Sequence, residues 1–220
     1  MNPKTESALK RLDGFLPLLS GLKSLSNEHA GLYCKLLNAY AEQGRTLTRD
    51  EVAAITPDPQ QALDKVVASK LIVLDDNGDP AGAYPFTSQQ REHKVHINGV
   101  TANCMCALDA MSVSSMFQTP TVIDSECRVT GKAIHLEQDG TRFTAGNLDA
   151  WFGIDWGAAA SDIVCAESLC LEMMFLVNAD VAETWLAESP STREIFDLPS
   201  AVEFSAAFFV PLAEHCRQQA

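Results

Sequence analysis

The sequence predicts an α+β fold: an N-terminal winged-helix-like helical module, then a mixed or antiparallel β-sheet domain with flanking helices. Three observations carry that expectation. Apolar residues recur at helical spacing through the first 70 positions, and an Asn–Gly hairpin signal closes that stretch. From residue 94 onward, strand-type segments and turn residues dominate until a last helical run. The division falls near Gln89, giving a module over 1–88 and a second domain over 89–220.

The elements follow in order. Residues 7–20 and 27–42 carry apolar positions at helical spacing, with Leu32, Leu36, Leu37 and Tyr40 on one face. Thr48–Arg49–Asp50–Glu51 is a capping box, so a short helix follows through Ile55. Asp58 and Pro59 start another, with Leu63, Val66 and Val67 on its buried side. Leu71–Leu74 reads as a strand and Asn77–Gly78 as its turn. Ala83–Phe86 is the return strand, limited to an edge by Pro85. Further on, Lys94–Asn98 alternates as a strand, and Ala102–Met116 is a helix or a strand-to-helix junction. Thr121–Cys127 and Ala133–Glu137 form a hairpin with Gly131 in its turn. Residues 145–157 read as a loop, Leu169–Val177 as a buried strand, Ala182–Ala187 as a short helix, and 201–217 as the closing helix.

Composition narrows the function classes. Hydrophobic residues make up 46% and charged residues 20%, a globular balance with enough length for a real core. The formal net charge is −13, which argues against nucleic acid as a partner. The helix expected after Asp58 offers only Lys65 and Lys70 as cations and also carries Asp64, so the winged-helix-like module is expected to pack or cover rather than read DNA. No stretch approaches the roughly 20 apolar residues of a membrane span, and Phe15–Leu22 follows Asp13 and is a poor signal core. A cytoplasmic location with no membrane partner is expected. There, seven cysteines persist as thiols, and the odd count disfavours a closed disulfide framework.

Chemistry concentrates in Asn103–Cys104–Met105–Cys106–Ala107–Leu108–Asp109. On a helix, Cys106 and Asp109 share a face, which sets a soft sulfur ligand beside a proton carrier. Cys170 is a further isolated cysteine, and spacing alone does not bring it to Cys106.

Cys106–Ala–Leu–Asp109, the hairpin Ser125–Glu–Cys127–Arg–Val–Thr–Gly131, and Ser168–Leu–Cys170, in that order, resemble the alkylmercury lyases. The resemblance implies an enzyme that cleaves R–Hg⁺ to a hydrocarbon and Hg²⁺. It makes Cys106 and Cys170 catalytic and mercury-binding, Asp109 the catalytic acid and a further candidate mercury ligand, and Cys127 structural. It implies no cofactor beyond thiols, with low-molecular-weight thiols and a mercuric reductase as partners. The sequence departs from that family at Leu171, where a second cysteine is frequent, and the loop over 145–161 offers little to match.

The chemistry of these residue types is consistent with such roles. Thiolate is the softest ligand a protein offers a soft ion. A carboxyl group that holds a proton protonates a carbon made basic by mercury-bound sulfur. Single residues are less telling. Cys106 alone reads as a core thiol, and Asp109 alone as a cap. Cys34, Cys165 and Cys216 read as core or incidental surface thiols, and Cys104 is balanced between packing and an extra soft-metal contact. Trp151 and Trp156 read as packing residues that border the pocket. His93 and His96 face opposite sides of a strand and carry no zinc spacing. The competing class is a thiol-based soft-metal sensor or carrier with a winged-helix DNA-binding module. Asp109 separates the two, because a sensor needs thiolates but no proton donor. A family relative without lyase activity is a third reading.

Overall fold

Asn2 accepts a hydrogen bond from the Thr5 amide and Pro3 takes the first helical position, so the chain enters a helix almost at once. The computed structural model describes residues 1–160 and 163–219; Ser161, the end of the unmatched loop, lies outside them. Two helices, α1 (Pro3–Phe15) and α2 (Leu18–Ser24), replace the single helix expected over 7–20. Pro17 explains the break: it lacks an amide donor and disfavours helical backbone at Leu16.

Helix α3 (Asn27–Gln43) ends at Gly44 in the left-handed region, and α4 (Arg49–Ala53) carries the capping box read from the sequence. Helix α5 (Pro59–Ala68) starts at Asp58 and buries Ala62, Leu63 and Val66. Strand β1 (Ile72–Leu74) turns at Asn77–Gly78 into β2 (Pro80–Ala83), sooner than the expected return strand. The Asp75 side chain accepts from the amides of Asn77 and Asp79 and closes that turn. Pro85 sits between β2 and β3 (Phe86–Thr87), where no ladder donor is needed.

Strand β3 pairs with β5 (Val100–Cys104), so the sheet begun by the first 88 residues continues into the rest of the chain. With β4 (Lys94–Ile97), β6 (Thr121–Glu126), β7 (Ala133–Asp139) and β8 (Arg142–Gly146), it forms eight antiparallel strands in the order β1-β2-β3-β5-β4-β6-β7-β8. The α+β class is as the sequence predicts. Tyr33 and Tyr40 of α3 donate to the Tyr84 and Ala81 carbonyls and fasten the helices to this sheet.

A second sheet corrects the loop expected over 145–157. Strand β9 (Trp151–Asp155) is central in it, between β10 (Met173–Leu176) and β11 (Arg193–Asp197). Gly153 lets this strand lie close to its cover: a Cβ there would stand 2.9 Å from Leu176 and 3.0 Å from the Trp185 ring. Trp185 belongs to α7 (Ala179–Glu188).

Helix α6 (Ala107–Phe117) is buried nearly all round, as a central core helix is. It lies along α8 (Leu198–Gln219), whose Ser205 hydroxyl donates to the Leu108 carbonyl at 2.7 Å. Cys34 of α3 and Cys216 of α8 form a disulfide. This corrects the expectation that all seven cysteines stay as thiols. Packing of α8 against α3 sets two Cα atoms 5.4 Å apart across 182 positions, a meeting that compartment arguments do not foresee.

Candidate active site

Strand β5 ends at Cys104, and α6 begins at Ala107; Cys106 is the residue between that caps the helix. Its backbone is extended, and its sulfur accepts from the Asp109 amide at 3.4 Å. Asp109 occupies the first helical turn, and its Oδ2 lies 2.6 Å from the Cys106 sulfur. Its other oxygen, Oδ1, is buried without a hydrogen-bond partner among the described residues.

Cys170 reaches the same place from a 3-10 turn, Leu169–Glu172, that leads into β10. The Cys106 and Cys170 sulfurs and a carboxylate oxygen of Asp109 all lie within 4.8 Å of one another. All three residues are buried, at 1%, 1% and 3% exposure for Cys106, Asp109 and Cys170. The structure therefore brings together all three residues singled out in the sequence. Met173 adds a thioether sulfur 3.6 Å from that of Cys106.

Burial sets the protonation of this cluster. It pushes the Asp109 carboxyl up to about 8, against the opposing hydrogen bonds from Cys106. It pushes the Cys106 thiol up to about 12. The neighbouring Cys106 sulfur, followed by burial, holds Cys170 well above the usual thiol range. At neutral pH the resting cluster is uncharged, which removes the cost of burying ions. It also leaves a carboxyl group that holds a proton next to two soft ligands.

Four other residues are placed differently from expectation or were not foreseen. Cys165, read as a core or incidental thiol, has its sulfur 3.6 Å from that of Cys170. Tyr84 is fully buried, and its hydroxyl has no hydrogen-bond partner among the described residues. It reaches the cluster because β3 pairs with β5, setting Phe86 opposite Cys104. Trp156 is not among the described residues that line the cavity beside the cluster; its ring stacks under the Arg11 guanidinium at 4.5 Å. Trp151 likewise lies away from the cavity, in β9. Cys104 is buried outside the cluster, and Cys127 is fully buried at the start of the β6–β7 turn.

A cavity of about 590 Å³ lies beside the cluster. Phe15, Leu16, Val67 and Ile72 from the first 88 residues and Leu169 from the second part line it. Tyr84 and Cys165 also line it, and Cys165 carries the wall to within 3.6 Å of the Cys170 sulfur. No described helix is long and apolar enough to cross a membrane.

The family model described as alkylmercury lyase matches residues 86–210. Alkylmercury lyases of Bacillus cereus and Clostridium butyricum are each 23% identical over 168 residues, spanning 70% of this chain and 73% of the relative. The mercury-bound form of MerB2 superposes with a TM-score of 0.70 at 20% identity, over 92% of this chain and 98% of that one, a likeness of fold.

Proposed function

The chain belongs to the alkylmercury lyase family, and from that premise we propose that it cleaves the carbon–mercury bond of R–Hg⁺ by protonolysis at Cys106, Cys170 and Asp109. One observation carries the reading: a carboxyl group 1% exposed lies 2.6 Å from one thiol and within 4.8 Å of another, and burial raises its pKa to about 8.

The steps follow from the chemistry of these groups. One cysteine sulfur takes R–Hg⁺ and gives up its thiol proton, since soft metals bind thiolate. The second sulfur adds electron density to mercury and makes the bound carbon basic. Asp109 gives its proton to that carbon as the Hg–C bond breaks, and the electron pair of that bond becomes the new C–H bond. In the same step the second thiol passes its proton to Asp109 as that sulfur becomes a mercury ligand. The net change is R–H release, with Hg²⁺ left on two sulfurs. Low-molecular-weight thiols then carry Hg²⁺ away and restore both cysteines, and a mercuric reductase is the downstream acceptor. No resident cofactor is needed.

In this reading the N-terminal module over 1–88 acts as a wall of the site, consistent with its residues along the cavity. The sensor reading lacks a comparable use for the Asp109 proton.

Incubation of purified protein with phenylmercury and excess thiol tests the assignment. Benzene release above the protein-free control is the expected result. Mercury binding without benzene overturns it.

A further inference from the structure

The three reacting groups are sealed off: each is at most 3% exposed, and none of them lines the neighbouring cavity. Cys165 is different. It is partly exposed, it lines the cavity, and its sulfur lies 3.6 Å from that of Cys170. An organomercury cation arriving through the cavity meets the Cys165 sulfur before it meets either buried one.

From this arrangement we infer that Cys165 is a receiving thiol: it takes the organomercury cation from the cavity and passes it to Cys170. The inference rests on the lyase reading above and extends it to a third sulfur and to the room for the hydrocarbon group.

Two further observations point to a ligand at this place. The cavity walls are apolar along Phe15, Leu16, Val67, Ile72 and Leu169, and half-exposed Ile163 and Val164 rim it. Lys70, Glu167 and Ser168 add polar groups to a mainly apolar lining, which suits the aryl or alkyl group of R–Hg⁺. The Tyr84 hydroxyl is also buried on that wall with no partner among the described residues. An unsatisfied buried hydroxyl has a cost that a bound group relieves. A thiolate–mercury unit passing between Cys165 and Cys170 supplies an acceptor there.

The transfer balances without a redox step. R–Hg–SR′, with R′S⁻ a small thiolate, reacts with the Cys165 thiol: an S–Hg bond to Cys165 forms, the bond to R′S breaks, and R′SH leaves with the Cys165 proton. The Cys170 thiol then attacks the same mercury. Its bond to mercury forms as the Cys165 bond breaks, and its proton returns to the Cys165 sulfur. Exchange through adjacent sulfurs avoids releasing a bare cation inside an apolar pocket.

The test uses phenylmercury supplied as its complex with a small thiol. Cys165→Ser protein is expected to lower kcat/KM for benzene release by about tenfold or more, while single-turnover cleavage of protein already loaded keeps the wild-type rate. Unchanged kcat/KM overturns the inference. A second readout does not depend on turnover. In Cys106→Ser/Cys170→Ser protein, checked for native circular dichroism, one equivalent of phenylmercury is expected to protect Cys165 from alkylation. If that protein does not fold, the same protection is read on wild-type protein by mass spectrometry in the first milliseconds of mixing. Alkylation of Cys165 at the ligand-free rate overturns the inference. Absence of benzene from wild-type protein, by contrast, removes the lyase reading itself.

Discussion

The Cys106 sulfur and the Asp109 carboxyl hold each other at the mouth of one helix: the sulfur accepts from the Asp109 amide at 3.4 Å, and Oδ2 lies 2.6 Å from the sulfur. Cysteine here takes the place that serine, threonine or aspartate usually holds at a helix start. The same turn that orders the helix thereby fixes a thiol against a carboxyl group.

Asp109→Asn keeps the shape of that carboxyl and removes its transferable proton. Mercury binding is expected to persist, because both sulfurs remain. Benzene release from phenylmercury should fall by about 10²–10⁴-fold, the usual contribution of a positioned acid. Equilibrium dialysis for mercury, run beside the benzene assay, separates the two effects; equal losses in both count against a proton-donor role.

The pH profile follows from the same carboxyl. Asp109 in the folded protein keeps its proton up to about 8, so cleavage by wild-type protein should decline as pH rises through that value. Stability has a related sign. Between the ordinary value of 3.8 and about 8, the folded state binds a proton that the unfolded chain has released. Stability from this group is therefore complete below about pH 4 and is lost as pH rises toward 8. Thermal unfolding of Asp109→Asn should lack that slope, and the variant should gain on wild type by a few kcal/mol across the window.

Gly153→Val tests the second sheet. The added Cβ meets Leu176 at 2.9 Å and Trp185 at 3.0 Å, and both must shift. Overpacking of this kind costs about 1–3 kcal/mol. Urea unfolding should show a lower midpoint with an unchanged slope.

Reduction of Cys34–Cys216 releases a cross-link that spans 182 positions. A loss of about 2–4 kcal/mol is expected, seen as a lower Tm in dithiothreitol. Cys34→Ala/Cys216→Ala protein should show the same low Tm with or without reductant. Neither residue lines the cavity or belongs to the cluster, so cleavage by the folded variant should match wild type.

Cys106, Asp109 and Cys170 were legible because three short blocks stand in a recognisable order, and the spacing of the first pair on a helix is local geometry. Tyr84 and Cys165 carried no such signal. Tyr84 reaches the cluster through a strand pairing between β3 and β5, which no local pattern reports. Cys165 and Cys170 sit in two successive 3-10 turns, and the five-residue spacing between them has a meaning only once those turns are known. Strand β8 alternates between exposed and half-buried positions with a single large apolar residue, Phe143, and β9 is interrupted by Gly153; neither displays the β-branched run that marks a strand. The helix caps at Thr48 and Asp58 were readable because capping is decided within four residues.

The pairing of β3 with β5 also bears on how the protein can be divided. A fragment starting at residue 89 would lack three strands of the larger sheet and bare the outer row of amides and carbonyls on β5. An unpaired row of that kind templates association with other copies. Excision at that point should yield aggregates, so any shortened version for crystallography or immobilisation must keep the Ile72–Thr87 ribbon with its sheet.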